Sequence, residues 1–253
     1  MRGYSILAKD GEIGHVEDFY FDSREFVVRY ALIDTGGWLT GREVLISPEC
    51  IDKPDDTGER LPVNLTKEEI KESPVLHEDE PISRAEEEQL VEYFDWTSYW
   101  NPTVYYPLRP LSLETVVAGE RDSNLGEDEI NTELKREGMI EGYDIQASDG
   151  EIGHLDSLII DDESWLVRYL VVDTRDWLPG RKVVLAPEWI QEVDWARERI
   201  AVPLTRDEVK GAPEYDPDVR IDRVYEEKLY DYFEEDKYWE LEEERTKGVG
   251  EEE

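Results

Sequence analysis

Among 253 residues the chain has one cysteine, Cys50, two methionines and three histidines. A single thiol excludes an internal disulfide and any cysteine-built metal cluster within one chain. Positive charge is scarce: 28 Lys and Arg stand against 65 Asp and Glu, for a formal net charge of -37. That balance argues against nucleic acid as a partner, because affinity for phosphate comes from cations that displace counterions. It argues equally against an anionic membrane surface. No run approaches the roughly 18 to 20 apolar residues of a membrane-crossing helix, and the opening Met1-Arg2-Gly3-Tyr4 lacks the apolar core of a signal peptide. The expectation is a cytoplasmic protein with no direct membrane insertion. A Gly-rich phosphate loop and a Gly-x-Ser-x-Gly nucleophile turn are also missing.

What the chain does have is aromatic rings. High net charge with low hydrophobicity often marks disorder, but 8 Trp, 14 Tyr and 5 Phe lie in patterned segments, and each ring brings a large area to bury. The cations comprise 10 Lys and 18 Arg. A surface rich in carboxylate and poor in Lys fits adaptation to high salt, where screening shortens self-repulsion to about 3 Å at 1 M.

The strongest signal is an internal repeat. Gly3-Tyr4-Ser5-Ile6-Leu7-Ala8-Lys9-Asp10-Gly11-Glu12-Ile13-Gly14-His15 returns 139 residues later as Gly142-Tyr143-Asp144-Ile145-Gln146-Ala147-Ser148-Asp149-Gly150-Glu151-Ile152-Gly153-His154. At the same offset Val28-Arg29-Tyr30 matches Val167-Arg168-Tyr169, Asp34-Thr35 matches Asp173-Thr174, Leu65-Thr66 matches Leu204-Thr205, and Tyr99-Trp100 matches Tyr238-Trp239. From Gly3 to Trp100, 43 of 98 aligned positions are identical without a gap, which calls for two copies of one domain.

Each copy opens as β structure. Tyr4 to Ala8 reads as a strand, Asp10-Gly11 as a two-residue hairpin turn, and Ile13 to Phe21 as the return strand. Ile13, Val16, Phe19 and Phe21 break the period of two, so a bulge or bend is expected near Gly14. Val27 to Asp34 reads as a strand buried on both faces, followed by a loop through Trp38 to Gly41 and by Val44 to Ile46 and Leu61 to Val63. Five or six short strands in so short a stretch suggest a small closed or half-closed barrel. Thr66 with Glu69, Thr205 with Glu208, and Ser83 with Glu86 have capping-box spacing, and Pro74 and Pro213 stop the first two helices. Leu90, Tyr93 and Phe94 share one helix face, as do Leu229, Tyr232 and Phe233. The expected fold is mainly β with short helices (α+β). Residues 1–100 form the first barrel with its aromatic helix, 101–141 a linker, 142–240 the second barrel with its helix, and 241–253 an acidic disordered tail.

In both copies these residues resemble the PRC-barrel family: a Gly-Tyr strand, Asp-Gly-Glu-Ile-Gly, Val-Arg-Tyr-hydrophobic-Asp-Thr, and Gly-Arg-hydrophobic-Pro-Glu. The segments Leu204-Thr205-Arg206-Asp207-Glu208-Val209-Lys210 and Tyr225-Glu226-Glu227-Lys228-Leu229-Tyr230-Asp231-Tyr232-Phe233 are similar to those of bacterial tandem PRC-barrel proteins. The resemblance implies two small tandem PRC-like barrels, of the kind found in the H subunit of photosynthetic reaction centres and in a ribosome maturation factor. It implies docking to an unknown protein partner rather than chemistry, with no cofactor. The chain lacks the membrane helix of the H subunit and the separate N-terminal domain of the maturation factor, so neither specific role transfers. An accessory role in photosynthetic electron transfer is one alternative.

The other alternative is a carboxylate-pair hydrolase, since Ala31-Leu32-Ile33-Asp34-Thr35-Gly36 has the form of an aspartic-protease signature. The second copy reads Asp173-Thr174-Arg175, without the Gly, and Asp-Thr at a strand end serves as a turn signal. His15 and His154, followed by Glu17 and Asp156, would make a paired metal site if the copies faced each other; the expectation is exposed or packed rings and no bound metal. His77 reads as a solvated loop residue. The runs Glu86-Glu87-Glu88 and Gly126-Glu127-Asp128-Glu129 lack the alternating ligands of a calcium loop and read as solvated helix faces and caps. Cys50, whose equivalent is Trp189, reads as a filler of core space. The candidate interface is aromatic: Tyr93, Phe94, Trp96, Tyr99 and Trp100, with Tyr232, Phe233, Tyr238 and Trp239. These rings are expected to pack against the other copy in an intramolecular pseudo-dimer, with Trp100 and Trp239 largely buried.

Overall fold

The computed structural model describes residues 1–39, 41–55, 57–75, 82–100, 133–174 and 181–249. The chain gathers into two compact units. The first comprises Met1–Glu141, Ser157–Leu170 and Ala186–Glu188; the second comprises Gly142–Asp156, Val171–Leu185 and Trp189–Glu253.

In the first unit β1 (Ser5–Ala8), β2 (Gly11–Asp22), β3 (Val27–Asp34), β4 (Glu43–Ile46) and β5 (Arg60–Pro62) precede α1 (Lys67–Glu72) and α2 (Arg84–Phe94). Then β6 (Leu134–Arg136) runs into α3 (Glu137–Ile140). The sheet order is β4-β3-β2-β1-β5, with β6 pairing β2. β3 is buried along nearly its whole length, as its continuous apolar run requires. The expected bend falls where Ile6 pairs with Gly14 while Leu7 pairs with Glu12, which leaves Ile13 as the extra residue. Gly14 has φ +152°, and a Cβ there would meet the Asp34 carbonyl oxygen at 2.0 Å, so only glycine lets β2 lie this close to the end of β3. A second bulge puts Glu17 between the pairs Val16–Ile33 and Asp18–Leu32.

The strand count suggests a closed or half-closed barrel; no closed barrel is found, and the described residues of this unit form an open six-stranded sheet. The physical reason lies at the β4 exit. A 3-10 turn over Pro48–Cys50 ends β4, and beyond it the chain meets the β5 side through the isolated bridges Ile51–Val63 and Asp55–Arg60 and the Asp52 N–H bond to the Pro62 carbonyl rather than through a continuation of β4.

The helices start as their sequences require. Thr66 and Ser83 complete capping boxes with Glu69 and Glu86. α1 ends at Ser73, just before Pro74, and α2 ends on Asp95 in the left-handed conformation. The α2 face packs Leu90 with Tyr20, Tyr30, Leu32, Leu45, Trp96 and Tyr99 into one core cluster.

The second sheet contains β7 (Asp144–Ala147), β8 (Gly150–Ile160), β9 (Val167–Asp173), β10 (Lys182–Leu185), β11 (Glu192–Asp194) and β12 (Arg199–Ala201). Its order is β10-β9-β8-β7-β12-β11, also open. α4 (Arg206–Gly211), α5 (Arg223–Phe233) and α6 (Tyr238–Val249) follow. The Thr205–Glu208 capping box and the left-handed Glu234 at the end of α5 recur at the repeat offset. α6 runs through much of the acidic stretch that begins at Leu241. No helix among the described residues is long and apolar enough to cross a membrane.

Candidate functional site

Cross-strand register brings three candidate ligands together on the first sheet. His15 on β2 pairs with Asp34 at the end of β3. The bulge at Glu17 keeps His15 and Glu17 exposed while Val16 and Asp18 turn inward. His15 Nε2 lies 3.8 Å from Asp34 Oδ2. One ligand atom from each of His15, Glu17 and Asp34 lies within 4.8 Å of the other two. The second Asp34 oxygen, Oδ1, accepts the Gly36 N–H at 2.7 Å, which fixes the carboxylate plane.

The equivalent positions in the second unit are His154, Asp156 and Asp173, and there the local chemistry differs. Lys182 Nζ donates to Asp156 Oδ2 at 2.6 Å, with both side chains about 30% exposed. The residue equivalent to Lys182 in the first copy is Glu43. Asp156, Asp173, Arg181, Lys182, Glu214 and Tyr215 line an open cleft of about 590 Å³ within this unit.

Asp34 and Thr35 serve the strand-end turn. Thr35 Oγ1 donates to the Arg42 carbonyl at 2.6 Å, and Thr174 Oγ1 makes the same bond to the Arg181 carbonyl at 2.7 Å. Arg42 in turn donates to the carbonyls of Lys71, Ser73 and Pro74, and Arg181 to those of Lys210 and Ala212, so each guanidinium caps the helix that follows its sheet. Arg175, His77 and the run 126–129 lie outside the described residues.

Each aromatic tail packs within its own unit. Phe94 stacks on Trp96 at 4.4 Å between ring centroids, and Trp96 lies 6.2 Å from Tyr30. Trp96 and Tyr99 are buried and Trp100 is half-buried. In the second unit Phe233 and Tyr230 pack on Trp189 at 4.8 and 5.2 Å, and Tyr238 and the half-buried Trp239 pack on Tyr230. Tyr93 and Tyr232 are the exposed members, at 39% and 40%. Their hydroxyls donate to the Glu69 and Glu208 carbonyls, which holds both rings in place at the surface.

The device that seats these tails centres on residues the sequence reading passed over. Glu87, in the run read as a solvated face, is fully buried. It accepts from Tyr99 at 2.6 Å and Tyr30 at 3.2 Å, and Arg84 lies 3.0 Å away. Burial, reinforced by this carboxylate, pushes the Tyr30 and Tyr99 hydroxyls well above the ordinary phenol pKa, so both stay proton donors. The Arg84 guanidinium lies over Trp100 at 4.1 Å. Glu226 accepts from Tyr238 at 2.8 Å, Arg223 lies 2.9 Å from it, and Arg223 covers Trp239 at 4.1 Å. The recurrence of Arg-x-x-Glu with Tyr-Trp in both copies was the signal that could have found it.

Cys50 is half-buried and accepts the Trp96 indole N–H at 3.0 Å. Burial pushes its thiol pKa up, away from the thiolate a nucleophile needs.

Residues 1–70 match the PRC-barrel domain family model. No curated protein matches the chain.

Proposed function

We propose that this chain is a non-enzymatic protein-interaction or scaffold module made of two PRC-like halves. The observation that carries the reading is the PRC-barrel match over residues 1–70. The use of chemistry-capable groups supports it: Asp34, Thr35 and Thr174 hold turns, while Glu87 and Glu226 seat the aromatic tails. Tyr93 and Tyr232, anchored by their hydroxyls and exposed at the surface, are the rings we assign to contact with a partner protein.

The test is capture from cells of the native organism, in parallel with the intact chain and with Tyr93→Ala/Tyr232→Ala. A partner retained by the first and lost from the second, at nearly unchanged melting temperature, is the expected result. Equal retention by both would remove these rings from the interface. A peptide hydrolysis activity that disappears in Asp34→Asn would overturn the non-enzymatic reading itself.

We further propose that the two repeats act as an intrachain pseudo-twofold pair. Inside the first compact unit, Val28 N–H donates to the Trp165 carbonyl at 2.9 Å and Val167 N–H to the Phe26 carbonyl at 2.7 Å. These positions exchange under the repeat offset, the reciprocity expected of an isologous contact. Separately produced repeats should therefore associate; halves that stay monomeric would count against the pair.

A further inference from the structure

We propose that His15, Glu17 and Asp34 form a site for one divalent transition-metal ion of the zinc class, and that the second copy has replaced that ion with its own Lys182 ammonium. The donor set is one imidazole nitrogen and two carboxylate oxygens, which zinc accepts while leaving a position for water. Bonds of about 2.0 to 2.1 Å at tetrahedral angles separate ligand atoms by about 3.4 Å. Here His15 Nε2 and Asp34 Oδ2 are already at 3.8 Å, and the whole set lies within 4.8 Å. Small rotations of the exposed His15 and Glu17 side chains, about an Asp34 carboxylate held by the Gly36 N–H, close the remainder. Two of the three are fixed at the backbone: His15 and Asp34 are direct cross-strand partners, and Gly14 permits the close approach of β2 to the end of β3.

The second copy supplies the independent observation. Asp156, the equivalent of Glu17, holds a cation, the Lys182 ammonium at 2.6 Å. The first copy carries Glu43 where that lysine stands, and no cation is paired with Glu17 among the described residues. A place that holds positive charge in one copy has lost its built-in cation in the other while keeping the imidazole and both carboxylates. This inference does not rest on the interaction reading above; a metal at this site would brace the β2–β3 register whether or not the chain docks a partner.

The test is a zinc titration of the full chain against a chromophoric chelator in about 1 M KCl, where a Debye length of about 3 Å suppresses diffuse accumulation by the acidic surface. One saturable equivalent is expected. His15→Gln and Glu17→Gln should each weaken binding by about tenfold or more, whereas His154→Gln should leave it unchanged. Histidine ring proton signals provide the second readout, with zinc moving the His15 signals and leaving those of His154 and His77 in place. Because Asp34 also holds a turn, Asp34→Asn is read only beside the two exposed-residue variants, whose melting temperatures in the absence of metal should match the parent. Wild-type affinity in His15→Gln, binding that vanishes in about 1 M KCl, or a shift at His77 or His154 instead of His15 would each overturn the proposal.

Discussion

The two copies fill the same hole with the same ring taken from different places in the chain. In the first, Cys50 is small and Trp96, from the tail beyond α2, supplies the indole that stacks on Phe94. In the second, Trp189 stands at the Cys50 position and packs on Phe233, the equivalent of Phe94, while the residue equivalent to Trp96 is Glu235, which is exposed. The comparison teaches that the seat for the tail is a volume to be filled, and that either chain position can fill it. The acidic site follows the same logic in charge: Lys182 is internal to the second copy, and Glu43 leaves the first without it.

The largest expected effect comes from breaking what the copies share. Glu87→Ala removes the acceptor of two buried hydroxyls and the counter-charge of Arg84, whose side chain is only 9% exposed, and should cost about 3 to 5 kcal/mol. Glu226→Ala should cost less, because its partner Arg223 is 48% exposed and can be rehydrated. Urea unfolding of the two variants measures the difference; equal losses would mean that desolvation does not separate the two clamps.

The ring exchange predicts a rescue. Cys50→Trp alone overfills the seat and should destabilise by about 1 to 3 kcal/mol, and adding Trp96→Glu should recover part of that loss. A double variant no more stable than the additive expectation would show that the positions are not coupled.

Across both copies, the melting temperature should rise by several degrees with KCl, since a net charge of -37 is screened as the Debye length falls from about 10 Å at 0.1 M to about 3 Å at 1 M. A flat or falling curve would remove the high-salt reading.

The smallest effect concerns the capping boxes. Backbone and side-chain hydrogen bonds from Thr66 lower the Glu69 pKa, and those from Thr205, the side chain first, lower that of Glu208, both below the ordinary 4.5. A lowered carboxylate pKa gives stability that is full above the unfolded value and is lost as pH falls through the folded value. Glu69→Gln/Glu208→Gln should therefore flatten the acid side of the stability profile by lowering stability slightly at neutral pH while leaving it nearly unchanged below the folded-state pKa values.

Local rules carried the reading of the fold where each signal lay within a few residues. The capping boxes, the Asp10-Gly11 turn and the bend beside Gly14 are of this kind. Closure of the barrel was not legible, because it depends on whether β4 continues unbroken into the strand beside β5, and a 3-10 turn over Pro48–Cys50, repeated over Pro187–Trp189, interrupts it. Glu87 was misread because a run of three glutamates looks solvated, yet on a helix the three point in different directions: Glu86 caps, Glu88 faces water and Glu87 faces the core. The proximity of His15 to Asp34 requires the β2–β3 register with its bulges, which residue identities alone do not specify.

An open sheet has edges where a closed barrel has none. The outer strands are β4, β5 and β6 in one sheet and β10 and β11 in the other, with three or four residues each. Such edges can template pairing between molecules, and short length, charge and proline are the features that discourage it. Glu43, Lys182, Glu192 and Asp194 on these strands, with Pro62 on β5, supply those features locally, and the acidity of the whole chain repels one copy of the protein from another. Salt that relieves repulsion within a molecule relieves it between molecules too. Colloidal solubility and thermal stability are therefore set against each other, with concentrated KCl raising the second while exposing the edges to self-association.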